Sequence, residues 1–180
     1  MSRSLPARFI SPEQLFQVRS SLKNILEGIV HNAVGADAVL IVRDLVPADF
    51  NGTGTASQYT NQALGAVNTY VAGTTVNPAL ANNQAVGVYG VADLAAVPTL
   101  MENRFQLGSA SLMSQVRMDE AYATGVNLIY MDPPVIYRPL ETINWQQLFN
   151  AATAIGAEAI SLIGYICEPS GKTVTLLPDH

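Results

Sequence analysis

From Phe50 to Ala92 the chain carries no Asp, Glu, Lys or Arg. Short Val- and Tyr-containing runs alternate there with Asn, Thr, Gly and Ala. A flexible linker is more polar and poorer in β-branched residues. The stretch therefore reads as strands at 67–72 and 84–91, joined by a loop through Asn77, Pro78, Asn82 and Asn83. The whole chain shares the trait: 13% of its residues are charged and 49% are hydrophobic, against roughly 25% charged in ordinary globular domains. At 180 residues it suits one domain with a sizeable core. The wet surface must be built from Asn, Gln, Ser and Thr, or else be covered by partners. Obligate interfaces lack charge at their centre, so a covered surface is expected, with a compact, Ala-rich monomer of neutral surface as the alternative.

Residues 1–10 read as an N-terminal arm, because Pro6 and Pro12 discourage regular structure, and residues 11–180 as a single β-barrel domain with a helix at about 12–33. Ser11 suits a helix cap, Pro12 the first helical position, and Gln14 completes a capping box. Leu15, Val18, Leu22, Ile25 and Ile29 then form one stripe. Ala38 to Val42 reads as a buried strand, and Asp44 to Gly54 as a loop. One or two strands lie between Arg104 and Met118, bent at Gly108. Val126 to Met131 is a strand interrupted by Asp132-Pro133-Pro134, and Val135 to Tyr137 resumes as an edge. A second helix is expected to start at Asn144, with Trp145, Leu148, Phe149, Ala152 and Ile155 on one face and Gly156 as its stop. Ala159 to Cys167 and Thr173 to Leu177 form a closing hairpin around Glu168-Pro169-Ser170-Gly171. About eight short strands and two helices without regular alternation predict a mainly β fold: a β-sandwich or barrel of the jelly-roll kind, with an N-terminal helix and one further short helix.

The catalytic inventory is thin. His31 and His180 are the only histidines and Cys167 the only cysteine, so neither a zinc pattern nor a disulfide framework is available. Cys167 sits among Leu162, Ile163 and Ile166 and reads as a buried, inert thiol. Gly52-Thr53-Gly54 lacks the third glycine of a dinucleotide loop, and Gly171-Lys172-Thr173 lacks the glycine that opens a phosphate loop. Asp119 and Glu120 beside Arg117 read as a solvated turn. Asp37, Asp44 and Asp49 fix no metal geometry. Ser109, Ser111 and Ser114 have no nucleophile-elbow context. No catalytic, cofactor-binding or metal-binding residue is assigned, and no enzyme is expected. The tyrosines from Tyr59 to Tyr165 suit half-buried sheets and interfaces.

A net charge of −5 argues against a nucleic-acid binder, which needs a basic field. Arg3, Arg8 and Arg19 give the N-terminal region a mild basic bias, read either as a solvated end or as a contact with anionic lipid or nucleic acid inside an assembly. Met1 to Gln14 contains no apolar signal core. Ala151 to Cys167 is barely long enough to span a bilayer and carries Glu158, so a transmembrane helix is rejected.

The arm, the short helix, the neutral Asn/Thr/Ala-rich strands and the run from Pro133 to Leu140 (PPVIYRPL) together resemble coat proteins of tailless, membrane-enclosing icosahedral phages. Size and strand count are similar to the smaller major capsid protein of the Thermus phage type. The resemblance implies a single vertical jelly roll, homodimers, capsomers shared with a larger capsid protein and a lipid membrane beneath the shell. It also implies a place in the virion after assembly in the host cytoplasm. It transfers no functional residue. The chain departs from a hot-habitat pattern: its only lysines are Lys23 and Lys172, and Asn and Gln abound, whereas thermophile surfaces favour Lys and Glu. A phage tail or decoration protein and a ligand-binding β-barrel are the alternatives.

Overall fold

The structure is a computed structural model that describes residues 3–6, 9–51, 70–72, 79–108, 111–151 and 160–171. Its elements run β1 (Arg3–Pro6), α1 (Pro12–Val34), β2 (Leu40–Asp44), α2 (Pro47–Asn51), β3 (Val71–Ala72), β4 (Ala85–Asp93), β5 (Leu100–Leu107), β6 (Ser111–Arg117), α3 (Asp119–Ala123), β7 (Leu128–Tyr137), β8 (Ile143–Phe149) and β9 (Ile160–Pro169). The fold is mainly β, with two antiparallel sheets ordered β1-β7-β4-β9-β2 and β3-β8-β5-β6.

The pairing is nested. β5 pairs with β6, β4 with β7, β3 with β8 and β2 with β9, each antiparallel. At the innermost bend Gly108 takes a φ of 61°, a left-handed backbone that costs glycine nothing. Two further pairings, β4 with β9 and β5 with β8, join these hairpin layers sideways into the two sheets.

The sheets pack face to face as a sandwich. Val86, Val88, Ile129, Val135, Leu162 and Ile166 of the five-stranded sheet meet Leu100, Phe105, Val116, Ile143, Trp145 and Phe149 of the four-stranded one in a single buried cluster. Phe105 and Trp145 stack with ring centroids 6.3 Å apart. A second cluster lies on the outer side of the five-stranded sheet, where Leu22, Leu26 and Val30 of α1 cover Ala85, Tyr89, Tyr165 and Cys167. β4 is thus buried along its whole length, with a sheet on one face and a helix on the other.

α1 begins as expected. Ser11 Oγ accepts from Gln14 N–H and Gln14 Oε1 from Ser11 N–H. Of the expected stripe, Leu22 is fully buried and Leu15, Val18 and Ile29 pack against the same cluster; Ile25 departs at 45% exposed, and Leu26 and Val30 are fully buried beside them. The expected arm contains β1, whose residues Arg3 to Pro6 pair with Asp132 to Ile129.

Several sequence expectations are corrected. The residues from Asn144 to Phe149 are not helical but form β8. Ile143, Trp145, Gln147 and Phe149 all point into the sandwich, and the period of two is masked because one of those inward positions is Gln147. The second part of that expected helix, Ala152 to Gly156, lies outside the described residues. The strand expected at 38–42 runs from Leu40 to Asp44 at a sheet edge. It is only partly buried, because Leu40 and Val42 pack toward α1 while Ile41 stays 45% exposed. Within the expected loop from Asp44 to Gly54, Pro47–Asn51 forms the short helix α2, where Asp49 Oδ2 accepts the Val46 N–H at 2.9 Å.

β7 continues through Asp132-Pro133-Pro134 instead of stopping there. β1 ends opposite Asp132, so Val135 to Tyr137 have β4 as their one neighbour among the described strands. That half is the expected edge. The strand from Thr173 to Leu177, the strand residues 67–69 and the loop through Asn77 and Pro78 lie outside the described residues.

Candidate functional site

Among the described residues four polar clusters stand out. At the β2 edge, Arg43 Nη1 and Nη2 hold both oxygens of Asp49 at 2.9 and 2.8 Å, and its Nε holds Glu168 Oε1 at 2.9 Å. Gln84 Nε2 donates to the other Glu168 oxygen at 2.8 Å. These bonds, the one to Asp49 first, hold the guanidinium protonated more firmly than usual. Planar bidentate pairing is what guanidinium geometry favours, and here it ties α2 to two strands.

Between α1 and the five-stranded sheet, Tyr89 stacks on Tyr130 at 6.1 Å and tilts against Tyr165 at 5.6 Å. Arg19 Nε donates to the Tyr165 hydroxyl at 2.7 Å, and Lys23 Nζ lies 4.6 Å from its ring centre. Burial raises the Tyr89 phenol well above its ordinary range, helped by the Tyr165 hydroxyl. Arg19 of the N-terminal basic group is therefore engaged within the fold; the side chains of Arg3 and Arg8 lie outside the described set.

On the outer face of the four-stranded sheet, the Tyr70 hydroxyl donates to Glu102, and the Arg104 guanidinium lies 3.7 Å from the Tyr70 ring centre. Arg104 Nε also reaches Glu102 at 3.1 Å. Burial and then the Glu102 contact push the Tyr70 phenol up to about 12. Near the start of the β4–β5 connection, buried Asp93 accepts from the Tyr122 hydroxyl at 2.6 Å and from Ala95 N–H at 2.9 Å. Sequence reasoning missed Asp93 and Glu102 and read Tyr122 only as one of the half-buried tyrosines; a lone acid after a charge-free run and a carboxylate two residues before an arginine were the signals for the two acids.

Among the described residues, the acids singled out from sequence are committed elsewhere or exposed. Asp49 is committed to Arg43. Asp119 makes an exposed 2.6 Å ion pair with Arg117, of the kind that contributes little. Asp37, Asp44 and Glu120 are exposed, and Glu158 is outside the described residues. Among the described residues no three His, Cys, Asp or Glu side chains converge on a metal-sized site. His31 Nδ1 lies 3.1 Å from the Gly35 carbonyl at the end of α1. Ser114 is buried against the Met131 sulfur, and Ser109 is outside the described set. Cys167 is fully buried, and that burial pushes its thiol up to about 11. No described helix is long and apolar enough to cross a membrane.

Two grooves, of about 450 and about 510 Å³, follow one flank of α1 and share Ile25, Pro133 and Pro134. Their walls are mainly apolar, from Leu15 and Val18 at one end to Ile29 and Ile136 at the other. Among the described residues, these grooves and the sheet edges are extended contact surfaces. No family model, curated protein or solved structure matches the chain.

The charge-free run reads differently once folded. Leu80 and Ala85 to Ala92 are buried within the protein's own layers, so the lack of charge there follows from the core and needs no partner. The segments 52–69 and 73–78 of the same run lie outside the described residues.

Proposed function

We propose that the protein is a structural coat subunit of an icosahedral virion, assembling with itself and with a larger coat protein. One observation carries this reading: the strand orders β2-β9-β4-β7 and β3-β8-β5-β6. They are what results when an eight-stranded hairpin is rolled up, with β1 added at one margin. That interleaved order supports a jelly-roll reading, and the jelly roll is an architecture common in capsid proteins. The architecture also serves lectins and cupin enzymes, so the surface has to separate them. A cupin-type site needs clustered histidines, whereas this chain has His31 on α1 and His180 at the far end of the sequence.

A subunit whose output is shape needs a rigid body, exposed edges and little charge. The sandwich core, the exposed β2 edge and a 13% charged fraction support that reading. A lipid membrane beneath the shell and an upright orientation of the sandwich belong to the same proposal. A tail or decoration role would use similar contacts. A ligand-binding barrel is less well supported, because Phe105, Tyr137, Trp145 and Phe149 fill the space between the sheets.

Native mass spectrometry at micromolar concentration, followed by electron microscopy of the assembled material, is the test. Closed shells or flat capsomer arrays are expected. Tubes would move the protein to a tail role, and a strict monomer that joins no particle would overturn the coat reading.

A further inference from the structure

The two grooves beside α1 meet at Ile25, Pro133 and Pro134, and the flank they form has ends of opposite charge. α1 and β7 border it in the same direction, from Leu15, Val18 and Asp132 at one end to Ile29, Ile136 and Arg138 at the other. Ile25, in the middle, is 45% exposed. Of the residues lining both grooves only Asp132, Arg138 and Glu141 are charged. Glu141 is turned back on its own turn, where its carboxylate accepts the Arg138 N–H at 2.7 Å. Asp132 and Arg138 are exposed, and among the described residues neither side chain is in an ion pair. Just past the Arg138 end stands Leu140, 71% exposed and with a φ of 68°. It is the third residue of a turn closed by the Glu141 N–H on the Arg138 carbonyl at 3.1 Å. Glycine or asparagine takes a left-handed backbone there at least cost. A leucine strains the backbone and leaves its side chain in water, so the single chain gains nothing from it.

We infer that this flank of α1 packs face to face against the same flank of a second copy, about a two-fold axis crossing the groove midway between Asp132 and Arg138. Such an axis reverses the second copy along the groove. Arg138 of each copy then lies over Asp132 of the other, and the two Ile25–Pro134 stretches meet near the centre. Leu140 of each copy reaches past Asp132 of the other, to the groove end walled by Leu15 and Val18. The order of the charges selects this occupant. A face with an acid at one end and a base at the other complements itself only when reversed; the parallel arrangement would oppose like charges. The contact is isologous and closes at two copies, with an apolar centre and a charged rim as stable interfaces have. It deepens the coat-subunit reading by naming one self-contact, and rests on that reading for the claim that the chain assembles with itself.

The test uses the full chain. Sedimentation at micromolar concentration is expected to show a dimer. Leu140→Gly should raise its dissociation constant about a hundredfold, at about tenfold for each leucine withdrawn. At a dilution where both proteins are single chains, the thermal midpoint of that variant should stay level or rise, because glycine relieves the turn. Arg138→Glu should weaken the dimer about tenfold, and adding Asp132→Arg should restore it, since the charges are then exchanged rather than opposed. A dimer that keeps its dissociation constant in Leu140→Gly and Arg138→Glu, or a double variant no tighter than Arg138→Glu alone, overturns the inference. So does a wild-type monomer that still enters shells, and that result leaves the coat reading standing; if Leu140→Gly blocks its entry, the groove belongs to a different subunit. A dimer that responds as expected but joins no particle upholds the inference and removes the coat reading. A protein that neither dimerises nor enters shells overturns both.

Discussion

The two sheets solve different burial problems with the same backbone. The five-stranded sheet is covered on both faces, by its partner sheet and by α1. Its central strands accordingly read as nearly unbroken apolar runs: Ala85–Asp93 is AVGVYGVAD and Ile160–Pro169 is ISLIGYICEP. The four-stranded sheet turns Glu102, Arg104 and Gln106 outward on β5, with Asn144 and Gln146 opposite on β8, and keeps Phe105, Trp145 and Phe149 inside. A doubly covered strand is marked by what it lacks, and a singly covered strand by alternation. Alternation is the weaker signal when a polar residue faces the core, as Asn103 and Gln147 do here at zero exposure.

The comparison is sharpest at Trp145, the largest side chain that the four-stranded sheet sends into the shared core. Trp145→Ala is expected to cost about 4 kcal/mol. It also takes away the Nε1–H that Asn103 Oδ1 accepts at 2.9 Å, leaving a buried amide less satisfied. Urea unfolding would measure this, and a cost below that of an ordinary surface change would show that the four-stranded sheet contributes little to the core.

Within the five-stranded sheet the crowding is in the backbone. A Cβ on Gly164 would lie 2.1 Å from the Gly87 carbonyl oxygen, whereas a Cβ on Gly87 would meet the end of the Leu22 side chain at 2.5 Å. Gly164→Ala should therefore destabilise by about 3 kcal/mol. Gly87→Ala should cost less, because Leu22 can turn aside. Thermal denaturation of the two variants ranks them, and the reverse order would contradict the close approach of β4 and β9.

Alkaline pH should separate the two outer faces by a smaller amount. Cys167, under α1, has its thiol raised from 9.0 to about 11, and Tyr70, on the other sheet, its phenol from 10.0 to about 12. Both protons are held more tightly in the folded chain. Their contribution is complete below pH 9, and stability falls as the unfolded chain ionises first. Denaturation midpoints measured from pH 8 to 12 should decline, beginning near pH 9 for Cys167 and near pH 10 for Tyr70. Cys167→Ala should remove the earlier part of the decline, and an unchanged slope would mean the thiol ionises freely in the fold.

The smallest effect is expected at Gln146, a half-buried position on the outer face of the four-stranded sheet. Gln146→Ala, outward on β8, should change stability by no more than about 0.5 kcal/mol. A larger loss by the same urea assay would mean that Gln146 shares the cover that buries Glu102 and Asn144 on this face.

Much of the local structure was legible from residue order. Ser11-Pro12-Glu13-Gln14 encodes its own helix start, because the cap bonds span only three positions. The runs that became β4 and β9, and the bend at Gly108, were equally local. The helix expected from Asn144 failed because a capping-like residue before Trp145, Leu148 and Phe149 fits a helical stripe as well as a strand. Only the neighbours Phe105 and Asn103 on β5 decide between them. No site was proposed from sequence, and the clusters at Arg43, Asp93, Glu102 and Tyr165 were invisible there. Each joins residues far apart along the chain, such as Arg19 with Tyr165 or Gln84 with Glu168.

Sequence alone determined the mainly β character, the first helix and its start, and the scarcity of ionised side chains, since these depend on propensity and on neighbours a few positions apart. Tertiary structure alone decided which strands lie beside which, which apolar run is core and which is edge, and that part of the charge-free stretch serves the protein's own interior. The physical reason is that a strand's burial is set by the elements placed on its two faces, and those arrive from distant parts of the chain.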